Sequence, residues 1–452
     1  MANQLILEDL LEKPIHIEFS EKNTTSDAGA IFVSSIIKKM QMHDRISAAV
    51  PDPRNQLMVT HEQPEQVHQR LLQLSAGYED LNDSATLRKD PALISLVLDG
   101  KPKPDKQEEL SSSPTLCRME NRFDRSCIEA MATLQVDLYL ERNKERFDDA
   151  LHKRGELLIV MDLDPTDLET HGQQPFAFFN GHYGHTAYLP LVIVDGENGD
   201  LITAIPRPGN RHATWFLPQI LRKLFARITT TYPQVKFRLR SDSGFQSEKY
   251  FAFLEQHPQV QTATVSIATN RSLDKMTQFA LQTFKEADEK FNDPKLIHFG
   301  EFGYRADSWS RYRRVVYQIS KTYFGATDVR FYMTLDLEST PEAIKLDYNQ
   351  RADAENRNKE WKIQAFANRV SGETFLVNAF RMLLSGFSFI IMQELQKKLQ
   401  GTTLEKSYIQ TVREKIIKVA GCIQESTRRV LLILPESYPY QSIWQHLIPQ
   451  TG

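Results

Sequence analysis

Cysteine is scarce in this chain, with only Cys117, Cys127 and Cys422 among 452 residues. Three thiols so far apart cannot build a disulfide framework, and no CxxC or neighbouring His pair completes a zinc site. A basic excess is also lacking: 55 Lys and Arg stand against 58 Asp and Glu, for a net charge of −3. That total argues mildly against a nucleic-acid protein, although phosphate contacts are local and distribution outweighs the sum. Repeats are missing, and long hydrophobic runs nearly so. The opening stretch MANQLILEDLLEKPIHIEFS has acids where a signal peptide carries its basic region, which argues against secretion. FLVNAFRMLLSGFSFIIM, residues 375–392, just reaches spanning length and is interrupted by Asn378 and Arg381. A buried core helix, with no membrane partner, is expected there. The length predicts two to four domains, and the scarce cysteines with no signal-peptide pattern suggest a cytoplasmic protein.

Charge is present but uneven. Between Ile205 and Lys249 nine Lys or Arg face two acids, and SRYRR adds Arg311, Arg313 and Arg314. Residues 1–150 show apolar positions at three and four spacing, as in PEQVHQRLLQLSAGY, and are expected to be helical. Within them DKQEELSSSPTLCRMENRF places serines before a proline, a helix start that suits a helix-turn-helix. Short β-branched runs follow: ELLIVMDLD, TAYLPLVIVD, GDLITAIPRP, VKFRLRSDSG and TATVSIATN, with a helical ATWFLPQILRKLFARITTTY before the fourth. This order predicts an α/β layer with mixed strand pairing. Further strands, KLIHFGEFGYRA, RRVVYQISKTYF and VRFYMTLDL, read as a β-rich insertion before the chain returns to helix.

Two strands end in acid, the first at Asp162 and Asp164 and the fourth at Asp242. Acids at strand ends beside a helix-borne acid suit a divalent metal, because Mg²⁺ takes hard oxygen ligands and keeps positions open for phosphate and water. The helix-borne acid lies in YNQRADAENRNKEWK, residues 348–362. On one α-helix, with Tyr348 at zero, Arg351 falls at about 300°, Glu355 at about 340° and Lys362 at about 320°, a single narrow face.

Asp164 in DLDPTD, Asp242 in RSDSGF and Glu355 in YNQRADAENRNKEWK resemble, in order and element, the acids of DDE transposases with a ribonuclease H-like core. The last stretch matches the Y-x2-R-x3-E-x6-K signature of bacterial insertion-sequence transposases that carry a β-strand insertion before the glutamate. Separations of 78 residues from Asp164 to Asp242 and 113 from Asp242 to Glu355 leave room for that insertion. THGQQPFAFFNGHYGHTAYLPL, SWSRYRRVVYQ and NAFRMLL add to a likeness that spans about residues 100–400.

The resemblance implies an α+β or α/β fold: a ribonuclease H-like mixed sheet with flanking helices, and helical N- and C-terminal segments. Its segments would be a helical DNA-binding domain at 1–150, core at 151–270, β-rich insertion at 271–340, core again at 341–400 and a helical end at 401–452. It implies cut-and-paste transposition by a bacterial enzyme acting on DNA in the cytoplasm, as a homodimer holding double-stranded terminal inverted repeats and target DNA. Asp164, Asp242 and Glu355 would be catalytic and hold two Mg²⁺ or Mn²⁺ ions, with Asp164 bridging and Asp162 as the fallback. Tyr348, Arg351 and Lys362 would grip phosphates, as would Arg311, Arg313 and Arg314, and an insertion aromatic, Trp309, Phe331 or Tyr332, would hold a flipped base. Two alternatives stand beside this. VMDLDPTD is also the DxDxT pattern of haloacid dehalogenase-like phosphatases, with Asp162 as nucleophile. The other is a catalytically inert, transposase-derived DNA-binding protein.

Overall fold

The computed structural model describes residues 5–7, 11–99, 109–291, 293, 296–426 and 428–450. Contacts divide the chain into two compact units, residues 1–122 with 391–452 and residues 123–390. These divisions cut the chain elsewhere than the five segments read from the sequence, and residue 150 lies inside the second unit.

The second unit is organised around a mixed eight-stranded sheet. Its strands are β1 (Leu157–Pro165), β2 (Leu191–Asp195), β3 (Leu201–Ile205), β4 (Val235–Ser241), β5 (Val260–Ile267), β6 (Ile297–Tyr304), β7 (Arg313–Lys321) and β8 (Thr327–Thr334). The spatial order is β6-β7-β8-β5-β4-β1-β2-β3. β4 runs parallel to β1 and β5, and every other neighbouring pair is antiparallel. β1 is central and buried on both faces, which is why it reads as a near-continuous apolar run, whereas β4 alternates Val235, Phe237 and Leu239 with Lys236, Arg238 and Arg240. Met161, Leu163, Ile193, Leu239 and Val265 share one core, in which the Phe225 and Phe237 rings stack at 4.0 Å. The strands read as an insertion are no separate layer: β8 pairs with β5 and extends the same sheet, because their alternating apolar residues continue its buried face.

Helix α1 (Arg125–Arg142) covers β3, the edge strand. The buried Gln135 amide fills the edge, accepting from the Ala204 N–H at 2.9 Å and donating to the Leu383 carbonyl at 3.2 Å. The remaining helices named below are α2 (Leu217–Thr231), α3 (Glu248–Gln256), α4 (Arg271–Phe291), α5 (Pro341–Asn349), α6 (Ala352–Lys359) and α7 (Phe375–Lys398). α7 is long and apolar enough to cross a membrane by composition, yet 83% of its most apolar window is buried. Asn378 does not break it: the fully buried amide exchanges hydrogen bonds with Gly372, accepting at 2.8 Å and donating at 3.0 Å.

In the first unit, helices Ala30–Lys39, Gln63–Ala76 and Pro91–Val97 pack on one another. The C-terminal segment expected to be helical contains two strands, Gly421–Glu425 and Val430–Ile433, the former pairing with Thr24–Thr25. Val430–Ile433 is a short continuous apolar run, which periodicity alone cannot assign to helix or strand. The serine–proline start is realised in the helix Ser113–Glu120, with Pro114 in its first turn. That helix and α1 fall in different units, and residues 105–108 of the motif lie outside the described residues.

Candidate functional site

Parallel pairing brings the C-terminal ends of β1 and β4 to one edge of the sheet, with Ser241 level with Leu163. Asp164 and Asp242 therefore stand side by side for a topological reason. The stretch that carries Glu355 is not the single α-helix expected. α5 ends at Asn349, and a tighter turn follows in which Arg351 N–H donates to Tyr348 O and Ala354 N–H to Arg351 O, each at 3.0 Å. α6 then widens into a π turn over Glu360–Gln364, where the Trp361 side chain is fully buried. The i→i+3 turn eclipses Tyr348 and Arg351, so both still face the sheet despite the broken helix.

Arg351 is the hub. Its Nη2 donates to Asp164 Oδ1 at 2.5 Å and lies 4.0 Å from Asp242 Oδ2, while Nη1 donates to Glu355 Oε1 at 3.0 Å. One guanidinium thus reaches all three acids. Asn358 Nδ2 donates to the second oxygen of Asp164 at 2.5 Å. Side-chain exposure rises from 18% at Asp164 to 37% at Asp242 and 57% at Glu355, so one acid is sunk and two are open to solvent. Burial pushes the Asp164 carboxyl up to about 6, the Asp242 charge adding to this and Arg351 opposing it. Against the pull of burial, Asp164, Tyr348, Asp242 and Glu355 hold the Arg351 guanidinium above its ordinary value. Among the described residues, no three or more His, Cys, Asp or Glu side chains are gathered as a ready metal cage. The donor set nonetheless fits a hard divalent cation: three carboxylates converge on one positive group, and two of them remain open.

Other residues expected at the site have different places. Lys362 Nζ donates to Asp167 Oδ1 at 2.7 Å, and His185 Nε2 contacts the other oxygen at 2.8 Å. Tyr348 packs its ring 4.7 Å from Tyr332 and donates its hydroxyl to the Ser241 carbonyl at 3.3 Å. Arg311 and Arg313 clamp α3: Arg311 pairs with Glu255 at 2.5 Å, while Arg313 reaches Glu248 at 2.8 Å and Glu255 at 2.7 Å. Arg314 pairs with Glu301 and donates to the carbonyls of Asp336 and Ser339. Trp309, Phe331 and Tyr332 are buried at 7%, 1% and 2% exposure, so none offers a ring face to a base. Exposed aromatics between residues 271 and 340 include Phe279, Tyr312, Tyr323 and Phe324, at 85%, 69%, 98% and 91%, the last two in the turn between β7 and β8. That turn projects from the same sheet edge as Asp242. β8 continues from Met333, level with Ser241 through Val265, back to Thr327, six residues or about 20 Å further out.

Asp162 lies under the site as a structural partner. Its two oxygens accept from Arg240 Nε at 2.6 Å and Nη2 at 2.8 Å, and both side chains are almost fully buried. Asn358, Asp167 and His185 were within the stretches quoted above but carried no assignment. Asn358 alone had a legible signal, three residues after Glu355 and so on its face.

A family model described as transposase DDE domain group 1 matches residues 7–450. A piggyBac transposase synaptic complex with hairpin DNA is similar in structure at 12% identity, covering 88% of this chain and 83% of that one, with a TM-score of 0.40. Argonaute from Marinitoga piezophila, in complex with 5' OH guide RNA and target DNA, is matched at 14% identity over 43% of this chain and 25% of that one, with a TM-score of 0.21. No curated protein matches the chain.

Proposed function

Because the chain belongs to the transposase DDE domain group 1 family, we propose that it binds the inverted repeats at the ends of a mobile element and catalyses metal-dependent strand cleavage and strand transfer. The observation that carries this is the reach of Arg351 to Asp164, Asp242 and Glu355, which are far apart in sequence. The sheet supports a ribonuclease H-like core: an antiparallel three-stranded run, β3-β2-β1, is followed by β4 and β5 parallel to β1. On this reading β6 to β8 are the insertion, fused to the sheet edge.

Asp164, Asp242 and Glu355 would hold Mg²⁺ or Mn²⁺, and when bound the ions would offset the charge that builds on the phosphoryl and leaving oxygens. Asn358 fixes the Asp164 carboxylate, and Arg351 keeps the three acids convergent while it neutralises them. Lys362, held by Asp167, would supply a cation to the phosphates to be cut, while the buried Arg351 stays turned to the acids. The aromatic expected of the insertion is best supplied by Tyr323 and Phe324, which carry exposed rings out over the site edge. Double-stranded element ends and target DNA are the partners, with a second copy of the chain in the synaptic complex, on DNA in a bacterial cytoplasm and with no membrane.

The phosphatase alternative is not favoured, since a nucleophilic Asp162 would have to leave a buried bidentate arginine. The convergent acids likewise give no reason to prefer an inert protein. The test uses duplexes copied from the inverted repeats that border the reading frame. With Mg²⁺ the full chain is expected to nick them, Asp164→Asn, Asp242→Asn and Glu355→Gln to lose nicking while keeping end binding, and none to hydrolyse p-nitrophenyl phosphate. Full nicking by the Asp164→Asn variant would overturn the assignment.

A further inference from the structure

A second exposed aromatic group flanks the site edge on the side away from the β7–β8 turn. β2 opposes β1 and β3 opposes β2, so β3 ends on the same edge as Asp164, and residues 206–216 lead from there into α2. The loop is firmly built. The buried Arg207 guanidinium donates to the Leu189 carbonyl at 2.9 Å and to the Ala213 carbonyl at 2.8 Å. Gly209 donates its N–H to the Phe176 carbonyl at 3.0 Å, and lies so close to the short strand His185–Tyr188 that a Cβ there would fall 1.8 Å from the Ala187 carbonyl oxygen. Ala213 sits against the turn that Asp242 caps: a Cβ on Gly244 would come 3.5 Å from the Ala213 Cβ and 3.0 Å from Asp242 Oδ1.

Trp215 follows two residues later, a chain reach of at most about 7 Å. Phe216, 54% exposed, is held at φ +52°, a left-handed conformation that bulky side chains seldom adopt without a constraint. The two rings meet edge-on at 4.6 Å, and the exposed Arg211 places its guanidinium 5.0 Å over the Trp215 ring. Trp215 also lines an apolar groove of about 1030 Å³ with Phe176 and Phe375, which leaves room against its ring. Aromatic rings with a guanidinium beside them suit an unpaired base, because every base has a π face and the cation meets its phosphate.

We propose that Arg211, Trp215 and Phe216 form a binding site for an unpaired nucleotide of single-stranded DNA beside Asp242. Its use at a cleaved end rests on the transposase reading; the binding itself does not. Of the four tryptophans, Trp309, Trp361 and Trp444 are buried at 7%, 0% and 6% exposure, so quenching of intrinsic emission by DNA reports Trp215. Titration of the full chain with an oligothymidylate is expected to quench that emission, and a blunt duplex of equal length to quench it less. Trp215→Tyr should abolish the quenching. Phe216→Asn, which suits the left-handed backbone and so keeps the fold, should weaken oligothymidylate binding about fivefold or more. No quenching, equal quenching by duplex, or unchanged affinity in Phe216→Asn overturns the site. If end nicking persists with any of these results, the transposase reading survives; quenching without end nicking overturns that reading and leaves the site.

Discussion

Arg351 and Asp164 show at the scale of single residues what the candidate centre demands. The guanidinium was expected to face DNA, but it is only 4% exposed and is occupied by carboxylates. Spacing along a sequence reveals that residues share a face, and says nothing of what lies opposite; Asp164 arrives from a strand 187 residues away. Asp164 in turn is held where ionisation is costly. Its folded value, raised from 3.8 to about 6, means that the folded chain binds this proton more tightly than the unfolded one, so the contribution of this group to stability falls as pH rises through that window. Asp164→Asn removes the titration. Its melting temperature relative to the natural chain should therefore climb between about pH 4 and about pH 6 and then level off. A difference independent of pH, measured by thermal unfolding across that range, would contradict the raised value.

Among the elements, the β7–β8 hairpin and the α5–α6 break differ most in how far they could be read. The strands were legible from their alternation, but their attachment to the main sheet was not, since β5 and β8 are joined only through a helix and two further strands. Aromatic character alone could not separate buried Phe331 from exposed Phe324; strand register decides that. The tight turn and the π turn were equally hidden, because each exists to seat a side chain, Arg351 or Trp361, in surroundings built by distant residues. The hairpin makes a clean prediction. Tyr323→Ser with Phe324→Ser removes rings that pack on little but each other, at 5.4 Å, so stability should change by no more than about 0.5 kcal/mol. If these rings hold a base, affinity for an element end bearing an unpaired nucleotide should fall by about 1 to 3 kcal/mol per stacked base. Unchanged affinity in a gel-shift titration would remove the hairpin from the DNA face.

For the whole molecule, charge explains why composition said so little. The basic excess between Ile205 and Lys249 is largely spent internally: Arg207 and Arg240 are buried, Lys223 pairs with Glu129, Arg227 with Asp137 and Arg238 with Asp347. What faces outward at the site edge is a small set of acids, aromatics and Arg211, which a net charge of −3 conceals. The central claim is that Asp164, Asp242 and Glu355 form one metal centre. Manganese binding to the full chain with its end duplex, followed by the loss of the free-ion electron paramagnetic resonance signal, tests it directly. The account predicts two ions per chain, both lost or strongly weakened in Asp164→Asn and one weakened in each of Asp242→Asn and Glu355→Gln. Undiminished manganese binding in the Asp164→Asn variant would contradict it.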